Sequence, residues 1–253
     1  MTNFEINTIG EYQETIDEIK RKFNVCWFRG LTDSGYKLVP SIYRSPYSPD
    51  YEALFLAQFK SEAPPFLSRS PNDDWEWLFL MQHYNVPTRL MDWSANPLVA
   101  LTFALKKLSS DKDDIKDLAV YCINPLKLNE RVSGFNFDEK NPLPFIGQEQ
   151  YHTYGINSKK RNNLPIAIVG PFNSDRIVAQ KGFFTLFPFE LEKEIETNEF
   201  SDDFLMKITL KKGKLFEMKE SLENLGFTYE SLFPGLDSIG KSIVNSFNKR
   251  SHV

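Results

Sequence analysis

Apolar residues at helical spacing predict helices along much of the chain. Thr8 and Glu11 form a capping-box pattern ahead of one apolar face, which consists of Tyr12, Ile16, Ile19 and Phe23. Asn96 followed by Pro97 is typical of a helix start, and the apolar stripe behind it consists of Leu98, Leu101, Leu105 and Leu108. A helix from Ser48-Pro49 would bury Leu54, Phe55, Gln58 and Phe59. Further helices are predicted to end at Asn85 and to cover 215–225 and 236–247.

Short apolar or alternating runs predict strands between these helices. The runs cover 25–30, 118–123, 164–169 and 204–210, and 176–187 indicates a turn followed by another strand. Neither a repeat nor a linker interrupts the order. We therefore expect a single α+β domain over 1–253, with its core at about 23–246 and N-terminal helices packed on a mixed or antiparallel sheet.

The segment 124–161 has no sustained period. It is rich in Asn, Pro, Gly and Lys and carries isolated aromatic residues, namely Phe135, Phe137, Phe145, Tyr151 and Tyr154. Long segments of this kind inside a compact domain usually cover or build a site, so we expect a lid or a substrate-selecting loop. Its basic run at 159–161 is more typical of a solvated patch than of a phosphate contact.

Composition limits the classes of function. The chain has 253 residues, 22 of them Phe, and a formal net charge of -4, which argues against a sequence-blind binder of nucleic acid. Cys26 and Cys122 lie in apolar runs and are expected to be small buried hydrophobes in a reducing compartment. The first twenty residues are acidic and no apolar run could span a bilayer, so we expect a cytoplasmic protein without a membrane partner. The three His residues lack metal-ligand spacing, and no metal is expected.

Candidate chemistry concentrates in 81–97, which the pattern places as a connector between two helices. This stretch holds six polar or aromatic candidates: His83, Tyr84, Thr88, Arg89, Asp92 and Trp93. On a functional interpretation, Asp92 orients Arg89 or His83 towards a phosphate or a ribose. On a structural interpretation, Arg89 and Asp92 are an ion pair, Trp93 fills the core and His83 caps a helix.

Three separated strings resemble the FRG domain, a family named for its Phe-Arg-Gly string and found in bacterial and phage proteins. They are Trp27-Phe28-Arg29-Gly30, the stretch from Gln82 to Trp93 followed by Asn96-Pro97-Leu98, and Ala179-Gln180-Lys181-Gly182-Phe183-Phe184. Asn85 replaces a usual Gly and Met91 a usual Leu. The resemblance covers roughly 23–246 and leaves the chemistry of the domain open.

An aromatic-Arg-Gly string at the end of an early strand also resembles the first motif of the ADP-ribosyltransferase fold. That resemblance implies that Arg29 grips the phosphates of NAD and that the backbone of Gly30 binds the nicotinamide. It also implies a late catalytic glutamate, where this chain has Gln180. A glutamine supplies no charge for a developing cation, so transfer would be weakened or would need another acid such as Glu190.

These observations support three classes of function. The first is an NAD-consuming ADP-ribosyltransferase or glycohydrolase, a toxin-like enzyme in bacterial or phage conflict, with a protein or RNA acceptor and a neutralising partner protein. Its catalytic residues would be Arg29, His83, Asp92 and Gln180, and its ligand-binding residues Gly30, Tyr84, Thr88, Arg89 and Trp93. The others are a nucleotide- or RNA-binding module without chemistry and a protein-interaction domain in which Arg29 and Asp92 pair across the core.

The functional interpretation makes two structural predictions. Arg29, His83, Arg89, Asp92 and Gln180 should converge on one pocket, and Arg29 should be a site residue whose loss leaves folding nearly intact.

Overall fold

A computed structural model describes residues 1–108, 115–132, 154–155, 164–171, 175–191, 194–228 and 230–250. Its strands are β1 Thr2–Ile6, β2 Trp27–Leu31, β3 Leu90–Ser94, β4 Leu118–Ile123, β5 Ile166–Ile168, β6 Gly182–Leu186 and β7 Leu205–Leu210. Its helices are α1 Ile9–Lys22, α2 Tyr51–Glu62, α3 Asp74–His83, α4 Pro97–Leu105, α5 Pro125–Glu130, α6 Asp175–Gln180, α7 Ser201–Phe204, α8 Leu215–Asn224 and α9 Leu236–Arg250. The fold is α+β, as predicted.

The strands form one mixed sheet in the order β1-β7-β4-β2-β3-β6-β5. Only β1 and β7 run parallel among the paired strands described; the other neighbours are antiparallel. The two central strands, β2 and β3, share a single residue pair, Phe28 with Ser94, whereas β2 pairs with β4 along its whole length, from Trp27 to Leu31. The sheet therefore opens between residues 29–31 of β2 and residues 90–93 of β3, which are not paired.

Alternation along the strands divides the core between the two faces of the sheet. On one face, Phe28 and Val120 pack with the buried sides of α1, α4 and α8. On the other face, Trp27 and Trp93 belong to a separate cluster. A third cluster packs α3 against β5 and β6. The sheet is thus covered on both sides around its central opening.

The predicted helix starts are confirmed by their caps. The Thr8 side chain accepts a hydrogen bond from the Glu11 amide at 3.2 Å. The Asn96 side chain accepts one from the Leu98 amide at 3.0 Å, with Pro97 as the first helical residue. Asn85 ends the third helix with a φ of 62°, a left-handed conformation that asparagine tolerates better than most residues. This conformation explains why Asn85 can replace a glycine.

The sequence-based assignment was wrong in several places. The stretch that contains Asp92 is strand β3 and not a connector, because Met91 and Trp93 are buried on one face and Leu90 on the other. Gln180 ends helix α6 and does not begin a strand. Strand β1 was not predicted, and Cys26 precedes its strand. Leu54 is 60% exposed, and α2 buries Leu56 and Glu52 instead.

Most of the loop predicted at 124–161 lies outside the described residues, as does its basic run. The part that the structure describes begins with helix α5 and includes Tyr154, which is buried and donates to the Leu164 carbonyl at 2.8 Å. Within the described chain, the helices are too short or too polar for a membrane span.

Candidate functional site

A pocket of about 190 Å³ lies at the opening between β2 and β3. Helix α4 forms one wall through Phe103 and Lys106, and α6 contributes Arg176 and Gln180. Phe28, Arg29, Gly30, Asn85, Asp92, Trp93, Ser94, Val99 and Ala100 complete the lining. Among these residues, Arg29, Asp92 and Gln180 converge as predicted, although they are far apart in sequence.

Arg29 reaches from β2 across the opening to β3. Its NH1 group donates to the backbone carbonyl of Asp92 at 2.5 Å. Its Nε atom is buried and has no hydrogen-bond partner within the described chain. Burial lowers the pKa of Arg29 to about 10, partly opposed by the nearby Asp92 carboxylate. A buried guanidinium with an unused donor is costly unless an anion meets it.

Two further cations, Lys106 and Arg176, line the same pocket. Lys106 lies directly after α4 with its Nζ atom 5.4 Å from the centre of the Phe103 ring. Burial, and then the charges of Arg29 and other cations, lower the pKa of Lys106. Arg176 donates to the His83 carbonyl at 3.1 Å and lies over the Phe233 ring. In the described structure, none of these three cations has a carboxylate oxygen within 4.0 Å, and the pocket has a net positive charge in spite of the nearby Asp92 carboxylate.

Sequence analysis missed Lys106 and Arg176. Lys106 follows an apolar helical run, where a lysine is typical of a solvated helix end, and Arg176 lies in a segment predicted as a turn. Neither residue lies within a recognised motif. Only the packing of α4 and α6 at the sheet opening brings them to Arg29.

Asp92 is the carboxylate among the lining residues, and two hydrogen-bonded side chains, Gln82 and Thr88, hold it in place. The Gln82 side chain donates to Asp92 Oδ2 at 2.6 Å, and the Thr88 hydroxyl donates to Gln82 Oε1 at 2.8 Å. Asp92 Oδ1 accepts no hydrogen bond from the described residues. Thr88 is fully buried, so it positions Gln82 and does not face a ligand. The arrangement fixes one carboxylate oxygen and leaves the other for the pocket.

Arg89 does not belong to this pocket, which corrects its predicted convergence and its predicted pairing with Asp92. Its partner is Glu52 of α2, with the backbone amide and Nε of Arg89 donating to the two carboxylate oxygens at 2.8 and 2.7 Å. Both side chains are 0% exposed. Arg89 also donates to the Phe187 carbonyl at 3.1 Å. Through these contacts Arg89 connects α2 to the sheet and stabilises their packing.

Other candidates also have structural roles. Trp93 is buried and donates from its indole nitrogen to Thr185 Oγ1 at 2.9 Å, as the core interpretation predicted. A Cβ atom at Gly30 would lie 1.9 Å from the Ala100 carbonyl oxygen, so Gly30 is required by the close packing of α4. The Gln180 amide donates to the Leu232 carbonyl at 2.9 Å.

His83 and Tyr84 line a second pocket, beside the first. Its volume is about 490 Å³, and its other walls come from 66–71, α3 and Pro171. Burial, and then the charge of Arg176, lower the pKa of His83, while Asp92 opposes the shift. Three or more potential metal-ligating side chains do not cluster anywhere in the described chain.

Comparison with known families supports one of the two resemblances. Residues 24–113 match the model of the FRG domain, which confirms the predicted family over that range. No curated protein and no solved structure gives a significant match to the chain.

Proposed function

Starting from an FRG domain over 24–113, we propose that this protein is an NAD-consuming, ADP-ribosyltransferase-like enzyme that holds its substrate at the opening between β2 and β3. The observation that carries the proposal is the set of three cations, Arg29, Lys106 and Arg176, which line one pocket and lack carboxylate partners in the described structure. The pyrophosphate of NAD supplies the missing negative charge.

The electrostatics of the pocket favour a phosphate over a neutral ligand. A guanidinium offers paired donors that match phosphate oxygens, and the buried Nε donor of Arg29 has no hydrogen-bond partner in the described chain. Burial lowers the pKa of both Arg29 and Lys106 because it removes water from the charged groups, and an anion beside them would offset that loss of solvation. The volume of about 190 Å³ fits part of a dinucleotide.

Asp92 is suited to the chemical step. When the bond between nicotinamide and ribose breaks, its electron pair leaves with neutral nicotinamide and positive charge develops on the ribose. The free Oδ1 of Asp92 can stabilise that charge while Gln82 holds Oδ2 in place. A water molecule or an acceptor group then bonds to the ribose and loses a proton. In this scheme Asp92 takes the role that a late glutamate has in the ADP-ribosyltransferase fold.

A second function, nucleotide binding without turnover, is favoured by the hydrogen bond that the Gln180 side chain already makes. Its side-chain amide is occupied by the Leu232 carbonyl, so it offers the ribosyl group less than the resemblance implied. A non-catalytic module would still need the three cations.

Release of nicotinamide distinguishes the two functions. The full-length protein is incubated with NAD labelled in the nicotinamide ring, and with NAD labelled in the adenylate phosphate together with cell extract. An enzyme releases labelled nicotinamide, and a transferase also labels an acceptor protein or RNA. Binding of NAD without release would support the module, and an absence of both would overturn the proposal.

Lys106→Gln and Lys107→Gln form a matched pair for the same assay. Both lysines follow the end of α4, but only Lys106 lines the pocket. We expect at least about a tenfold loss of NAD affinity or turnover for Lys106→Gln, because a charge-assisted contact to phosphate is lost, and little change for Lys107→Gln. Equal effects would show that only the general charge of the surface matters.

An enzyme of this kind acting in the cytoplasm of its own host would require control. We therefore include in the proposal a neutralising partner protein encoded nearby, which examination of the neighbouring genes would test.

A further inference from the structure

The second pocket differs from the first in chemistry as well as in size. Its floor is formed by Phe79 and Leu80, and its rim carries the rings of Phe66 and Tyr84. Phe66 is 88% exposed and Tyr84 is 60% exposed. Exposed aromatic surface gathered at one pocket is typical of a ligand-binding site. Ser68 and Ser70 add hydrogen-bonding groups.

This pocket carries little net charge. Arg69 lies 3.4 Å from a Glu76 carboxylate oxygen, which balances its charge. Glu76 also accepts hydrogen bonds from the backbone and side chain of Asn72 at 2.9 and 3.0 Å. Burial and the charge of Arg176 lower the pKa of His83, which favours its uncharged imidazole. The walls therefore suit an uncharged ring with polar edges rather than a phosphate.

The two pockets share a wall at the end of α3. His83 and Tyr84 line the second pocket, and the next residue, Asn85, lines the first. Arg176 of the first pocket donates to the His83 carbonyl at 3.1 Å. A ligand with a charged part and a planar part could therefore place one part in each pocket.

We infer that the second pocket is a binding site for a nucleobase, stacked on Tyr84 and Phe66 beside the phosphate pocket. This inference deepens the proposed function and rests on it for the identity of the neighbouring ligand. The base belongs either to the dinucleotide whose phosphates occupy the first pocket or to a separate nucleotide. In both cases the recognised group is the same planar, uncharged heterocycle.

Titration calorimetry of the full-length protein with four probes tests this inference. The probes are adenosine, AMP, nicotinamide mononucleotide and NAD, measured against wild type, Tyr84→Ala, Phe66→Ala and Tyr51→Ala. Tyr51 is a matched control, since it is 45% exposed and contacts the Phe55 ring much as Tyr84 contacts the Phe59 ring, but lies outside the pocket.

We expect adenosine and AMP to bind wild type and Tyr51→Ala, and to bind Tyr84→Ala and Phe66→Ala about tenfold more weakly, because stacking on an aromatic ring is lost. A parallel loss for NAD would place its adenine in the second pocket. Unchanged NAD affinity would assign the pocket to a separate nucleotide. Either result supports the base site.

Equal affinities of adenosine and AMP for all four proteins, or no binding to wild type, would overturn the inference. Its failure is distinguishable from failure of the proposed function. If Lys106→Gln weakens the binding of nicotinamide mononucleotide while Tyr84→Ala changes the affinity of no probe, the phosphate pocket is supported and the base site is overturned. If Tyr84→Ala weakens adenosine binding while wild type neither binds NAD nor releases nicotinamide from it, the base site is supported and the proposed function is overturned.

Discussion

Arg29 combines a fixed position with an unused hydrogen-bond donor, and it does so in the lining of a pocket. Its guanidinium is held in place by one bond to the Asp92 carbonyl, yet its buried Nε has no partner in the described chain. Burial disfavours its charge, which is why its pKa falls to about 10. The residue is thus fixed in position but electrostatically unsatisfied, which favours a role in binding an anion.

Replacing Arg29 with methionine separates binding from folding. Arg29→Met keeps an unbranched apolar stem and loses one hydrogen bond worth about 1 kcal/mol, and removal of the desolvated charge offsets this loss. We expect the free energy of unfolding to change by less than about 1 kcal/mol, while NAD binding is lost. Urea denaturation and calorimetry measure the two effects. A large loss of stability with intact binding would instead make Arg29 a structural residue.

Asp92 permits an equally conservative test. In Asp92→Asn the new side-chain carbonyl can still accept from Gln82, so the hydrogen bond survives while the charge is lost. We expect affinity for NAD to be kept or to rise, because a carboxylate near the phosphates is removed, and nicotinamide release to fall at least about tenfold because the ribosyl cation is no longer stabilised. Turnover equal to that of wild type would exclude Asp92 from the chemistry.

At the scale of helices and strands, the contact of α4 with β2 determines the shape of the pocket. Gly30 allows the helix backbone to lie on the strand, since a Cβ atom there would come within 1.9 Å of the Ala100 carbonyl and 2.6 Å of the Ala104 nitrogen. The glycine of the Phe-Arg-Gly string therefore serves packing, and the same packing places Phe103 and Lys106 opposite Arg29.

Gly30→Ala should consequently unfold or rearrange the protein. Backbone atoms of a packed helix cannot move aside as a side chain can, so we expect a loss of more than about 3 kcal/mol in the free energy of unfolding. Gly213→Ala is the control, because nothing lies within 4 Å of a Cβ atom at that position. Thermal denaturation of both variants makes the comparison, and a Gly30→Ala protein as stable as the control would refute the packing explanation.

The buried Glu52–Arg89 ion pair holds α2 against the sheet. Removal of one partner leaves a buried charge, so Glu52→Ala should cost about 3–5 kcal/mol of stability. Because Arg89 lies outside both pockets, ligand affinity measured below the unfolding transition should remain that of wild type. A loss of NAD affinity in a Glu52→Ala protein that is as stable as wild type would show that Arg89 takes part in ligand binding.

At the scale of the molecule, the FRG match is smaller than the folding unit. Residues 24–113 include only β2 and β3 of the described strands, and these two share one residue pair. Their other neighbours, β4 and β6, lie further along the chain.

A fragment of 24–113 should therefore fail to fold. Most backbone groups of its two strands would lose their partners, and the core faces packed by α1 and α8 would be exposed. We expect a circular dichroism spectrum without a cooperative thermal transition, whereas the full chain unfolds cooperatively. Dispersed amide resonances from the fragment would show that the matched segment is an autonomous domain.

The sequence by itself determined much of the local structure and the match to the FRG domain over 24–113. Helix starts such as Thr8 and Asn96 depend on contacts within a few residues, and β2 and β7 are visible as apolar runs, so pattern alone suffices for them. The FRG strings also indicated Arg29 and Asp92, which do line one pocket. Strand β3 was missed because its polar residues resembled a loop.

Only the tertiary structure decided which charges meet. The partner of Arg89 proved to be Glu52, 37 positions away, and not Asp92, which is near in sequence. Likewise Lys106 and Arg176 join Arg29 only because α4 and α6 pack at the place where β2 and β3 separate. Such encounters depend on strand order and helix packing, which arise from contacts distant in sequence and leave no local pattern around the residues themselves.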